Sequence, residues 1–158
     1  MRIGVISDTH GTLRPEVLDV FHDVAHILHA GDIGNEDVLT ALEALAPVTA
    51  VYGNTDGVEL RQRCPDVATV ELEGLIAVVT HGDRFGSPEP QGLVAAFPDA
   101  EIIVYGHTHQ AVLELVDRTV TVMNPGAAGP ARFGVPPTVG IMEFEAGLPP
   151  RARIVPLA

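Results

Sequence analysis

The stretch IIVYGHTHQA, residues 102–111, joins an apolar run to a glycine and two histidines spaced two apart. Side chains two residues apart in an extended segment point to the same side, so His107 and His109 can face one shared target. A metal ion is the obvious candidate, since neutral imidazole is a common metal ligand. The fragment alone is equally compatible with a polar loop that happens to hold histidines, so the rest of the chain decides between the two.

The first half of the chain alternates short apolar runs with amphipathic segments. Residues 2–7, 26–31 and 48–53 are predicted to form buried strands, and residues 15–24 and 36–45, with apolar positions at helical spacing, are predicted to form helices between them. This order predicts βαβ units and a parallel sheet.

Beyond residue 60 the pattern becomes strand-rich. One further helix is predicted near residues 90–97, and strands at 138–145 and 152–157 close the chain. These strands predict a second, partly antiparallel sheet. The length of 158 residues predicts a single domain spanning residues 1–158.

The composition excludes several classes of function. The formal net charge is −12, and all nine basic residues are arginines, so non-specific binding to nucleic acid or to anionic membranes is not expected. Without lysine there is no Walker-type phosphate loop and no Schiff-base chemistry. The only cysteine, Cys64, is expected to be an inert thiol in a loop, and a single cysteine together with the absence of an apolar leader predicts a cytoplasmic protein.

Five apolar runs end in a polar residue that can bind a metal. Because the carboxyl ends of parallel strands share one edge of a sheet, these residues are expected to meet in one crevice. Oxygen and imidazole donors without thiolate favour Mn²⁺, Fe, Zn²⁺ or Ni²⁺, and seven donors suit a pair of ions about 3.5–4 Å apart. The candidate ligands are Asp8, His10, Asp32, Asn54, His81, His107 and His109.

The order of the motifs DTH (8–10), GD (31–32), GNTD (53–56), HG (81–82) and GHTH (106–109) resembles the calcineurin-like metallophosphoesterase superfamily. The GNxD form and the later NPGAAGPAR segment (124–132) are similar to its small YfcE-type phosphodiesterase branch, so the resemblance covers about residues 3–132. A single dipeptide carries no weight, whereas five motifs in order at strand ends rarely coincide.

The resemblance implies an α/β sandwich of two mixed β-sheets packed face to face and flanked by helices. It also implies two divalent transition-metal ions per chain, with Mn²⁺ the first expectation and Fe, Zn²⁺ or Ni²⁺ as alternatives. One ion would be bound by Asp8, His10 and His109, the other by Asn54, His81 and His107, with Asp32 bridging them.

The activity implied is phosphoesterase, with preference for phosphodiesters, on a small phosphate-ester substrate. A hydroxide bridging the ions would attack phosphorus, and Asp32, Asn54, His81 and His107 would serve catalysis through the ions and the phosphate. A homo-oligomer remains open.

Two positions depart from the family pattern. Thr55 stands where most of the superfamily has a histidine near the leaving group, which removes the best candidate for a general acid. Asp83 stands where the small branch has a second histidine, and a carboxylate there would repel phosphate.

Other polar residues receive plainer interpretations. His22 and His26 are expected to be solvated, His29 a hydrogen-bonded core residue, Asp56 a turn acid and Asp37 a helix-start acid. Arg84 and Arg132 are possible phosphate clamps, although ordinary surface arginines are commoner. The pocket walls are expected from loops near residues 10–14, 54–64, 83–90 and 126–137.

Two rival hypotheses stay open. The fold also serves as a protein-binding scaffold in a eukaryotic retromer subunit that resembles this branch, so the chain could bind partners without catalysis. The bound ion could also be purely structural, although ligands at strand tips favour an open site over a closed cage.

Overall fold

A computed structural model describes residues 1–131, 134–146 and 148–157. Four short α-helices and one 3₁₀ helix at Asp83–Phe85 accompany ten strands in this part of the chain. The helices are α1 (Pro15–Val20), α2 (Glu36–Glu43), α3 (Val58–Arg63) and α4 (Pro90–Ala96). The strands are β1 (Arg2–Ile6), β2 (His26–His29), β3 (Val48–Ala50), β4 (Val67–Leu72), β5 (Leu75–Thr80), β6 (Ile102–Val104), β7 (Val112–Val116), β8 (Val120–Asn124), β9 (Thr138–Glu143) and β10 (Arg151–Pro156).

The strands form two five-stranded mixed sheets. In the first, with order β10-β9-β1-β2-β3, the strands β1, β2 and β3 of the βαβ units are parallel. Strand β9 pairs antiparallel with both β1 and β10. In the second, with order β4-β5-β6-β8-β7, a parallel centre of β5, β6 and β8 carries an antiparallel strand at each edge. Both the parallel first half and the partly antiparallel second sheet are confirmed.

Alternation along the strands divides the apolar side chains into three clusters. Ile3 and Val5 of β1 pack between the sheets against Val79 of β5 and Val104 of β6. The outer face of each sheet is covered by helices, for example the second sheet by Leu93 of α4. The expected sandwich of two mixed sheets flanked by helices is therefore confirmed.

The element boundaries differ from the sequence prediction in two instructive places. The first helix ends at Val20 rather than at residue 24, because the chain then enters a turn in which Val24 is still buried, so the apolar spacing outlasts the helix. The prediction of a loop over residues 54–64 is wrong for Val58–Arg63, which form α3.

Cys64 lies in the short loop between α3 and β4, as expected, and it is buried there, which raises the pKa of its thiol. None of the helices in the described ranges is long and apolar enough to cross a bilayer.

Candidate metal centre

The five apolar runs that end in candidate ligands are the strands β1, β2, β3, β5 and β6. Beyond the ends of β1 and β2 the backbones stay paired, since the N–H groups of Asp8 and His10 donate to the carbonyls of Gly31 and Asp32 at 3.0 and 2.9 Å. In the second sheet, the N–H of Gly106 likewise donates to the carbonyl of His81 at 3.1 Å. The loops that follow the strands are therefore fixed to one another.

Two buried aspartates form the floor of the site. Asp8 is fully buried, and its Oδ2 accepts hydrogen bonds from the Ser7 hydroxyl at 2.6 Å and from the backbone N–H of His107 at 3.2 Å. Asp32 is 3% exposed, and its Oδ1 accepts from the backbone N–H of Thr55 at 3.0 Å. Each carboxylate thus has one oxygen held by the protein and one oxygen directed at the histidines.

The free oxygens face a row of imidazoles. Nε2 of His109 lies 3.3 Å from Oδ1 of Asp8, and Nε2 of His10 lies 3.8 Å from the same oxygen. The two imidazole Nε2 atoms are 3.3 Å apart. Oδ2 of Asp32 lies 4.0 Å from Nε2 of His10 and 3.3 Å from Nε2 of His81. Asp32 therefore lies between His10 and His81.

His81 leads to the remaining candidates. Its Nδ1 lies 2.8 Å from the carbonyl of Ala30, which suits an N–H donor there and leaves Nε2 directed into the site. That Nε2 lies 3.0 Å from Oδ1 of Asn54, and the ring of His107 packs edge-on at 5.2 Å between centroids. All seven candidate ligands are therefore joined in one chain of contacts.

The charge states follow from this packing. Burial raises the pKa of Asp32, but the hydrogen bond to His81 and the charge of His81 lower that pKa by more. The pKa of Asp32 therefore falls well below the usual range. Burial lowers the pKa of His81, but the hydrogen bond to Asp32 and the charge of Asp8 outweigh it and raise that pKa to about 9. Without a metal, His81 therefore carries a proton at neutral pH that a bound cation would displace.

The backbone around the ligands is strained. Among the described residues eight non-glycines have positive φ, and five of them are candidate ligands. Such a conformation is uncommon for residues with a Cβ, costs about 1–3 kcal/mol each and concentrates at functional sites. The five are Asp8, His10, Asp32, His107 and His109, with φ between 47° and 72°.

One buried carboxylate oxygen indicates that the candidate ligands fit a divalent cation. Oδ1 of Asp8 is buried and accepts no hydrogen bond within the described part of the chain, although imidazole nitrogens surround it. A buried carboxylate oxygen without a donor is costly, and a cation would satisfy it. Two donor groups have atoms close enough to share an ion, namely Asp8, His10 and His109, and Asp8, Asp32 and His81. Asp8 belongs to both groups, and His107 to neither.

Sequence reasoning missed the residue that ties the loops together. Asp56, expected to be a turn acid, is buried, and its carboxylate accepts from the backbone N–H groups of Gly53, Ile33 and Gly34 at 2.8, 3.1 and 2.9 Å. It thereby joins the loop that carries Asp32 to the loop that carries Asn54. The DG pair at 56–57 gave only a turn signal.

The remaining histidines differ in environment. His29 is fully buried and hydrogen-bonded to Thr9 and to the N–H of Gly31, as expected for a satisfied core residue. His22 is exposed. His26 is half-buried rather than solvated, its Nε2 lies 2.8 Å from the Thr49 hydroxyl, and burial lowers its pKa.

The other singled-out residues lie outside this cluster. Asp37 is a first-turn acid of α2, as expected. Arg84 pairs with Asp66 at 3.5 Å on the surface, which does not support a role as phosphate clamp. Asp83 begins the 3₁₀ helix and belongs to neither donor group, and Arg132 lies outside the described residues.

Comparison with known proteins gives concordant matches. The family model described as the calcineurin-like phosphoesterase superfamily domain matches residues 1–147. A probable metallophosphoesterase of Methanothermobacter thermautotrophicus is 37% identical, over 92% of this chain and 87% of the relative. The phosphodiesterase YfcE of Escherichia coli K12 is 30% identical, over 92% of this chain and 89% of the relative.

Solved structures match over the full length. A novel archaeal phosphodiesterase is 32% identical, with a TM-score of 0.77 over 98% of this chain and 100% of that chain. Vps29 of Chaetomium thermophilum has a TM-score of 0.81 over 100% and 98% of the two chains, but at 15% identity this likeness extends to the fold alone.

Proposed function

The chain belongs to the calcineurin-like phosphoesterase superfamily, and we propose that it hydrolyses phosphodiesters with two divalent transition-metal ions at the strand tips. The resemblance to that superfamily and to its YfcE-type branch is confirmed, and the relatives support a hydrolase that acts on phosphate esters. The two-metal arrangement and the preference for diesters are our proposal.

One observation carries the proposal. The buried Oδ1 of Asp8 accepts no hydrogen bond within the described residues, in a cluster where seven oxygen and imidazole donors lie in contact. Asp8, His10 and His109 would hold one ion, and Asn54, His81 and His107 the other. Asp32, whose Oδ2 faces both His10 and His81, would lie between them.

The chemistry divides between the ions and the protein. When bound, such ions lower the pKa of water so that it attacks phosphorus near neutral pH, and they neutralise charge on the phosphate oxygens. The protein fixes the ligands in advance, because Ser7, Thr55 and Ala30 hold Asp8, Asp32 and His81 through hydrogen bonds.

His107 and Asn54 complete the site differently from the buried aspartates. His107 is half-exposed and Asn54 is exposed, so both can reach a phosphate as well as an ion. Thr55 hydrogen-bonds Asp32 through its backbone N–H and its side chain, and a threonine hydroxyl is too weak an acid to protonate a leaving group near neutral pH. The proposal therefore favours esters with a good leaving group, which need no general acid.

The test measures metal content and turnover together. Purified protein should hold close to two transition ions per chain and should cleave bis(p-nitrophenyl) phosphate when Mn²⁺ is supplied. Asp32→Asn and His107→Ala should each abolish cleavage, whereas His22→Ala, at an exposed histidine outside the cluster, should not change it. Undiminished turnover in the first two variants would refute the mechanism.

The scaffold hypothesis has one feature in its favour. Strand β7 lies at the edge of the second sheet and exposes Leu113 and Leu115, at 41% and 54%. An edge strand with exposed leucines is a possible surface for another protein. A chain that shows no diesterase or monoesterase activity with Mn²⁺, yet binds a partner through β7, would favour this alternative.

A further inference from the structure

An apolar pocket opens directly beside the metal centre. It has a volume of about 180 Å³ and is lined by Thr108, His109, Gln110, Ala127, Pro130, Val135 and Pro136. None of the lining residues in the described part of the chain carries a permanent charge, in a protein of net charge −12. Val135 is 45% exposed and is one of the few large apolar side chains left open to solvent in the described ranges.

His109 belongs to both the centre and the pocket. Its Nε2 lies 3.3 Å from Oδ1 of Asp8, while the same residue lines the apolar wall. The cluster and the pocket therefore meet at His109. An ester group on a phosphate held at the cluster would have this pocket as its apolar neighbour.

The segment that carries the lining residues Ala127 and Pro130 is hydrogen-bonded to the loop of Asp8. The backbone N–H groups of Ala128 and Gly129 donate to the carbonyls of Ser7 and Asp8 at 3.0 and 3.2 Å. A Cβ at Gly129 would collide with the Asp8 and Thr9 backbone, so this segment packs as closely as a chain can. On the His109 side, Nδ2 of Asn124 donates to Oγ1 of Thr108 at 3.0 Å.

The chemistry of the walls selects the occupant. Two prolines with fixed φ, an alanine and a valine make a preformed apolar surface that loses little freedom when filled. A cavity of about 150 Å³ accepts benzene, so this volume suits one aromatic ring or a short branched alkyl group. A charged group would lose its hydration here and would meet no permanently charged side chain among the described lining residues.

We propose that this pocket is a substrate subsite that binds an apolar, preferably aromatic, ester group of the phosphate ester, with Ala127 and Val135 as specificity-determining residues. The inference rests on the proposed function, since it assumes that the phosphate lies at the metal cluster. It narrows the substrate class to phosphate esters that carry at least one compact apolar group.

The test uses two ligands that share one head group. Phenylphosphonate and methylphosphonate differ only in the organic substituent and are not hydrolysed, so isothermal titration calorimetry on Zn²⁺-loaded protein measures binding without turnover. Phenylphosphonate should bind at least about tenfold more tightly, since a few carbons in a hydrophobic pocket are worth that much. Nuclear Overhauser effects from the phenyl protons should reach the methyl groups of Ala127 and Val135.

A matched pair of variants checks the location. Val135→Thr keeps the shape of the side chain but introduces a hydroxyl, and should reduce the preference for phenyl at least about threefold while leaving the affinity for methylphosphonate unchanged. Val58→Thr makes the same change at an exposed valine outside the pocket and should leave the preference as in the unchanged protein.

The outcomes separate this inference from the proposed function. Equal affinities for the two phosphonates, or a phenyl preference unaffected by Val135→Thr, would overturn the subsite while Mn²⁺-dependent cleavage of bis(p-nitrophenyl) phosphate still stood. Absence of both phosphonate binding and diester cleavage would overturn both.

Discussion

Lowering the pH should destabilise the protein through His29. This histidine is fully buried next to the metal-binding loops, and its two ring nitrogens have fixed roles. The N–H of Gly31 donates to Nδ1 at 3.1 Å. The Thr9 hydroxyl donates to the carbonyl of Ile33 at 2.8 Å, so it accepts from Nε2–H of His29 at 3.1 Å. A second proton on Nδ1 would face the N–H of Gly31.

The size of the effect follows from the shift in pKa. Burial lowers the pKa of His29 from 6.5 to about 4. The unfolded chain therefore binds the proton more tightly, so the stability from neutral His29 is fully present above pH 6.5 and is lost as the pH falls towards 4. Between pH 7 and pH 5 this histidine alone should lower the free energy of unfolding by about 2 kcal/mol.

The assay is urea unfolding at pH 7 and pH 5 with excess chelator, comparing the unchanged protein with His29→Gln. The variant keeps an amide donor and acceptor but does not titrate, so the loss between the two pH values should be about 2 kcal/mol smaller than in the unchanged protein. His81, with its pKa raised to about 9, is present in both proteins and cancels in this difference. Identical pH dependence, or a His29 ring that titrates near 6.5 by NMR in the unchanged protein, would refute the reasoning.

Three further predictions concern the loops and the metals. Gly53→Ala places a Cβ against Oδ1 and the backbone nitrogen of Asp32, so the metal content measured by elemental analysis should fall below one ion per chain. Gly92→Ala adds a Cβ in open space on α4, so it should instead raise the free energy of unfolding by about 1 kcal/mol. Asp56→Ala leaves three backbone N–H groups without their acceptor and should cost about 3 kcal/mol in urea unfolding, whereas Asp37→Ala at an exposed helix start should cost less than about 1 kcal/mol; equal losses would contradict this account of Asp56. Removing the metals with chelator should lower the melting temperature of the unchanged protein but not that of Asp32→Asn, and an equal drop in both would contradict metal binding at Asp32.

Local patterns in the sequence were sufficient to predict the two sheets and to identify the strand ends that carry the candidate ligands. Apolar runs ending in Asp8, Asp32 or His81 identify the carboxyl ends of strands directly, because burial on both faces of a parallel strand leaves a continuous apolar run. The first helix was predicted too long because Val24 is buried by a turn. Helix α3 was missed because Leu60 is its one buried residue, too short a pattern to predict a helix.

The features that hold the centre together are not local in the sequence. Asp56 reads as a turn acid, yet it binds three N–H groups from two loops about 20 residues apart, and only the folded backbone reveals this. The positive φ angles of His10 and His109 likewise could not be predicted from residue type, because most histidines have negative φ even though histidine is enriched among the exceptions. The pocket beside His109 depends on how two distant loops pack.

The central claim is that seven side chains from five strand tips hold a pair of cations. An anomalous difference map from a crystal grown with Mn²⁺ tests it most directly. We predict two peaks per chain about 3.5–4 Å apart, one among Asp8, His10 and His109 and the other beside His81, with Asp32 touching both. A single peak, or peaks away from these residues, would contradict the account.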